Sequence, residues 1–143
     1  VVITRTFSKA YALAGLRVGY MLSDPSVAAI VERLRESFNV NAVALAAAEA
    51  ALADDQHRAR VRQQNQIDRA WLTDELVRRG FSVLPSQTNF LLVDLGTDAD
   101  AFEKHLFERG VIVRPMGGYG LPHTVRISVG SREELQRLLE NLP

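Results

Sequence analysis

The chain has 143 residues, about one domain at the usual ratio of roughly 150 residues per domain. Hydrophobic residues make up 47% and charged residues 24%, ordinary values for a globular domain, which excludes a disordered or fibrous chain. Seventeen Lys plus Arg balance seventeen Asp plus Glu, so no basic excess points to nucleic acid or an anionic membrane, and zero Cys removes disulfides, thiolate metal sites and cysteine nucleophiles.

Val1-Val2-Ile3 opens the chain without a Met and inside an apolar run, which reads as a piece of a longer protein lacking its upstream part. No signal-peptide pattern is present, and a cytoplasmic location is expected. Val1 to Arg5 reads as a short buried strand, rich in β-branched residues. A loop with small residues, Phe7 to Gly15, leads to a second apolar run, Leu16 to Leu22. Ser23-Asp24-Pro25 stops that strand and caps a helix in which Val27, Ile30, Val31 and Leu34 recur at helical spacing. Asn41 to Ala53 is an alanine-rich helix. Its least polar part, Ala42 to Ala53, carries Glu49 and is too short to span a bilayer. Asp54 to Arg79 is a longer charged helix with a stripe of Ile67, Ala70, Trp71 and Leu76, stopped at Gly80.

Beyond Gly80 the pattern changes. Phe81 to Leu84 and Asn89 to Leu95 read as strands around a Pro85-Ser86-Gln87 turn. Ala101 to Arg109 reads as a helix, Val111 to Arg114 as a third strand, and Thr124 to Val129 as a fourth, after the Gly-rich loop Gly117 to Gly120. Ser131 and Glu134 form a capping box for a last helix through Leu139. Alternating strands and helices make the class α/β. A break near residue 40 divides the chain into residues 1–40, two strands and a helix from a larger sheet, and residues 41–143, long helices and a small α/β domain.

Thr6-Phe7-Ser8-Lys9-Ala10-Tyr11-Ala12-Leu13-Ala14-Gly15-Leu16-Arg17-Val18-Gly19-Tyr20 is the most informative segment. Lys9 follows a strand, a hydroxyl precedes it, and Arg17 follows eight residues later across a small apolar linker. A lysine folded tightly there loses solvation, which pushes its amine toward the neutral, nucleophilic form that Schiff-base chemistry with an aldehyde needs. The Ser8 hydroxyl and the planar fork of Arg17 can together bind a phosphate. An aldehyde and a phosphate on one small molecule describe pyridoxal 5′-phosphate. On Ser8-Lys9 alone, a surface lysine with Arg17 in an ordinary ion pair remains the alternative.

Arg126 stands out by the same reasoning. Alternation along Thr124 to Gly130 puts Val125, Ile127 and Val129 on one face, with Arg126 and Ser128 on the other. Beside a Gly-rich loop, its guanidinium can grip a carboxylate or phosphate bidentately. A structural salt bridge, or an edge-strand arginine in water, fits the pattern equally well. Arg114, at the end of the preceding strand, ranks second, as a helper at the same cleft or a surface residue. Gly117 to Gly120 lacks a following Gly-Lys-Ser/Thr and reads as a tight connection. His57, His105 and His123 lack metal-ligand spacing, so no metal is expected.

Ser8-Lys9 … Gly15-Leu16-Arg17-Val18-Gly19-Tyr20 resembles the lysine segment of fold-type I pyridoxal-phosphate-dependent aminotransferases of class I/II, most of all their histidinol-phosphate branch. Thr88 to Val93, Val111 to Pro115 and Gly117 to Pro122 running into Val125 to Gly130 are similar to that family's small-domain strands, in the same order. The segment departs at Ala12, where the commonest form of the string has Gly. The resemblance implies the end of the large-domain sheet over 1–40 and the small domain over 41–143. It implies pyridoxal 5′-phosphate held by Ser8, Lys9 and Arg17, with Lys9 catalytic, and substrate bound by Arg126 and Arg114. It further implies amino transfer between an amino donor, histidinol phosphate, and 2-oxoglutarate in histidine biosynthesis, by a homodimer. The partner of the pyridine nitrogen and part of the phosphate site are expected upstream, so this stretch alone is expected to be inactive. An aromatic aminotransferase or an amino-acid phosphate decarboxylase on the same scaffold is the alternative within enzymes. A non-catalytic interaction domain is the alternative of another class.

Overall fold

The computed structural model describes residues 1–143. It divides into two compact units, Val1–Arg62 and Gln63–Pro143.

In the first unit β1 (Val2–Thr6) and β2 (Gly19–Ser23) pair antiparallel, from Val2 opposite Ser23 to Thr6 opposite Gly19. Glycine is required at 19, because a Cβ there would lie 2.6 Å from the Arg5 carbonyl oxygen. The sequence predicts a buried first strand, yet β1 is exposed along its whole length. Its hydrogen-bonded neighbour is β2 and neither face is covered, so Val2 and Leu22 remain more than half exposed. Helix α1 (Pro25–Glu32) starts as expected: Asp24 accepts from the Ser26 N–H and proline fills the first turn. Its apolar period runs past its end, leaving Leu34 outside the helix and exposed. Helix α2 (Ala42–Ala53), capped by Asn41, buries Ala44 and Ala48 with Phe7 and Val18 to form the core of this unit. That shared core keeps α2 with the lysine loop, and the compact division falls inside α3 (Asp55–Arg78).

The second unit is a four-stranded antiparallel sheet, order β3-β4-β6-β5, with helices α4 (Ala99–Phe107) and α5 (Arg132–Glu140) and the later turns of α3. The strands are β3 (Ser82–Val83), β4 (Phe90–Asp94), β5 (Arg114–Met116) and β6 (Leu121–Ser128). Leu91, Val93, Val125 and Ile127 line the covered face with Leu72, Leu76, Leu106, Leu135 and Leu138 from the helices. Each such side chain contributes roughly 1.5–3 kcal/mol on burial. On α3 the buried positions are Asp68, Leu72 and Leu76, whereas Ile67 and Ala70 of the expected stripe are exposed. Gly80 ends α3 in the left-handed region at φ +88°, with the Phe81 N–H donating to the Leu76 carbonyl at 3.1 Å. The same closure after α4 takes the Val111 N–H to Leu106, which displaces the expected third strand to Arg114–Met116. The Gly-rich loop is the hairpin connection expected, a 3-10 turn over Gly117–Tyr119 between β5 and β6. The capping box at Ser131 and Glu134 is present. No helix is long and apolar enough to cross a membrane.

Candidate active site

The lysine loop is built from its backbone outward. Phe7 is 3% exposed and anchors the loop in the first unit's core. Its N–H donates to the Val18 carbonyl at 3.2 Å, and its own carbonyl accepts from Leu13 at 3.0 Å. The first bond closes the loop one residue before Ser8 and one after Arg17, bringing those two chain segments side by side. Lys9 opens a turn whose carbonyl accepts from the Ala12 N–H at 2.9 Å. Ala12 and Arg17 both take left-handed backbone, φ +57° and +53°, which non-glycine residues adopt at a cost. Such outliers cluster where a chain is held for function.

Arg17 Nη1 donates to the Ala14 carbonyl at 2.8 Å, which aims the guanidinium while its other N–H groups stay unspent. Neither Lys9 nor Arg17 enters any of the chain's five ion pairs. The ordinary ion pair weighed for Arg17 is therefore absent. The expectation that Lys9 is desolvated is not met in this chain: the side chain is exposed.

Thr6 is a residue that the sequence alone does not single out. Its hydroxyl donates to Ser8 Oγ at 2.9 Å and accepts from the Ser8 N–H at 3.1 Å. With its acceptor side occupied by Thr6, the Ser8 hydroxyl has its own hydrogen to donate. The residues thus offer a hydroxyl donor, unspent guanidinium N–H groups and a primary amine with no carboxylate beside them. That donor set fits an aldehyde-bearing phosphate monoester.

The second unit carries the other predicted residues. Arg126 sits mid-strand on β6, which lies between β4 and β5, so the edge-strand alternative falls away. Val125 and Ile127 are buried on the opposite face, as the alternation predicts. Arg114 on β5 is the direct cross-strand partner of Arg126. Two like charges stand opposite each other on one sheet face, an arrangement that costs stability unless something offsets it. Neither has a carboxylate within ion-pair distance, so the salt-bridge alternative for Arg126 falls away too. Arg126 lies over the Phe90 ring, 5.3 Å to the centroid. Arg114 lies 5.5 Å from the Tyr119 centroid and donates to the Tyr119 hydroxyl at 3.2 Å.

Arg132 provides the internal contrast. It stacks on Trp71 at 3.8 Å and closes on Asp68 at 2.8 Å. The Asp68 side chain is 3% exposed and its other oxygen accepts from Gln64 Nε2 at 2.7 Å. Arg132 is neutralised and spent on structure; Arg126 and Arg114 are not. His105 contacts the Asn141 carbonyl at 3.1 Å.

A family model for aminotransferase class I and II matches residues 1–142. Histidinol-phosphate aminotransferase 1 of Nitrosococcus oceani is 50% identical over 140 residues, covering 98% of this chain and 38% of that protein. Histidinol-phosphate aminotransferase 2 of Pseudomonas aeruginosa is 49% identical with the same coverage. The crystal structure of histidinol-phosphate aminotransferase from Sinorhizobium meliloti in complex with pyridoxal-5′-phosphate superposes with a TM-score of 0.88 at 36% identity, over 100% of this chain and 40% of that one. The chain spans about 38% of the length of the curated relatives it matches.

Proposed function

The chain belongs to the class I and II aminotransferase family, and from that premise we propose that it carries the cofactor lysine and the substrate-anion arginines of an enzyme moving an amino group between histidinol phosphate and 2-oxoglutarate or glutamate. The observation that carries this reading is the closed loop with Ser8 and Lys9 at one end and Arg17 at the other, offering a hydroxyl, an amine and a guanidinium free of carboxylates.

Ser8 and Arg17 hold the phosphate of pyridoxal 5′-phosphate, Ser8 through the hydroxyl proton that Thr6 leaves free and Arg17 through its unspent N–H groups. Bound there, the cofactor supplies an aldehyde that captures amines and a conjugated ring that takes up the electrons of the broken Cα–H bond. Lys9 Nζ would be the attachment point for the cofactor's aldehyde, and in turnover it takes the proton from the Cα of the amino donor and, in the return half of the cycle, gives one to the Cα of the 2-oxo acid. Arg126, assisted by Arg114, grips the anionic end of the substrate and fixes its orientation. Such positioning supplies several kcal/mol of barrier reduction, with a ceiling of about 7–11 kcal/mol.

Residues 1–40 then belong to the cofactor-binding large domain and 41–143 to the connecting helices and small domain. The resemblance to the family supports an enzyme that works in the cytoplasm as a homodimer. An amine-donor screen on the full-length protein tests the substrate. Histidinol phosphate is expected to exceed phenylalanine and threonine phosphate in kcat/KM. Preference for phenylalanine, or carbon dioxide release from threonine phosphate, would overturn the assignment.

A further inference from the structure

We infer that Phe90 is a positioning residue for the anion site: its ring seats the face of the Arg126 guanidinium so that the N–H edges stay free for substrate. The inference rests on the proposed role of Arg126 and deepens it. Arg126 opposes Leu92 on β4, and Phe90 lies two residues along on the same face, at the diagonal position that an aromatic side chain reaches. The guanidinium carbon stands 5.3 Å from the ring centroid. A ring's negative face attracts a cation without accepting any of its in-plane hydrogen bonds. A carboxylate would hold the arginine more tightly, but by drawing on its N–H edge, as Asp68 Oδ1 does at 2.8 Å from Arg132 Nη2. The aromatic seat also helps two like charges, Arg126 and Arg114, to stand opposite each other; Arg114 has its own ring, Tyr119.

Phe90 is itself held. Its carbonyl accepts from Ser86 Oγ at 2.7 Å and from Thr88 Oγ1 at 3.1 Å. The Thr88 carbonyl accepts from Arg69 Nη1 at 2.8 Å and Asn65 Nδ2 at 3.2 Å, tying the start of β4 to α3. The seat is therefore fixed before any anion arrives.

The test uses the full-length protein loaded with pyridoxal 5′-phosphate and titrated with inorganic phosphate, with Arg126→Ala as the reference that subtracts binding elsewhere. Phe90→Leu keeps apolar bulk but removes the π face; it is expected to weaken the Arg126-dependent phosphate affinity by about five- to ten-fold. In turnover, the loss falls on KM for the anionic donor rather than on kcat. Phe90→Tyr, which restores the π face, is expected to restore both. Equal affinity in Phe90→Leu and wild type overturns the inference, as does a Phe90→Tyr protein no better than Phe90→Leu. Absence of Arg126-dependent phosphate binding in the wild type overturns it as well. If phosphate binding follows the predicted pattern while no phosphate-bearing donor is turned over, the reaction assignment fails and the role of Phe90 stands.

Discussion

Ala12 adopts φ +57° in the turn that follows Lys9, a backbone region that costs an L-residue with a Cβ roughly 1–2 kcal/mol. The glycine that the family's string usually carries there would remove that cost, offset in part by the greater freedom of glycine in the unfolded chain. Ala12→Gly is therefore expected to stabilise the full-length protein by about 0.5–1 kcal/mol in urea denaturation, with Lys9 still reactive; a destabilised variant would contradict the strain assigned to this turn. Arg126→Lys keeps the charge but loses the planar fork. An increase in KM for the anionic donor of about ten-fold or more is expected in steady-state kinetics, and an unchanged KM would remove Arg126 from the binding site. The sequence singles out Ser8, Lys9, Arg17 and Arg126 as candidates because each is a chemically distinct side chain at a telling spacing. Thr6 was not, since a threonine at a strand end is explained by β-propensity alone. Nor was the exposure of Lys9, which depends on what covers the loop rather than on the loop's own residues.

At the scale of elements, the tie between α3 and α5 runs through Asp68, Arg132 and Trp71. Removing one partner of a buried pair leaves the other uncompensated, at 3–5 kcal/mol when both are buried. Arg132 is 38% exposed, so water recovers part of that cost. Asp68→Ala is expected to lower the stability of the second unit by about 2–3 kcal/mol in thermal or urea unfolding, and a change under 0.5 kcal/mol would show the pair to be ornamental. The helix starts at Asp24 and Ser131 and the stop at Gly80 were legible because capping is local chemistry, whereas α4 begins at Ala99, two residues before the expected Ala101, with Asp98 as its cap. The stripe on α3 was misread because the helix has charged residues all round, and its buried Asp68 looks like any other helix acid until Arg132 is beside it. The third strand was misplaced because the closure after α4 claims the Val111 N–H, and pairing with β6 begins only at Arg114.

At the scale of the whole molecule, the two units carry different halves of one proposed chemistry: the cofactor's phosphate and amine ligands in the first, the substrate's anion ligands in the second. The α/β class was legible from the alternation of apolar runs, whereas the burial of β1 was not: an apolar run predicts that a strand needs cover, not that this chain supplies it. Substrate identity is the least legible property, because a guanidinium fork accepts a carboxylate or a phosphate with the same geometry. The central claim is that Lys9 bonds to the cofactor. Within this chain the competing amine is Lys104, which peptide mapping separates from Lys9. Borohydride reduction of the full-length protein saturated with pyridoxal 5′-phosphate, followed by peptide mapping, is expected to leave a pyridoxyl group on Lys9 and on no other lysine. A folded, saturated protein with no adduct, or with the adduct elsewhere, would contradict the account.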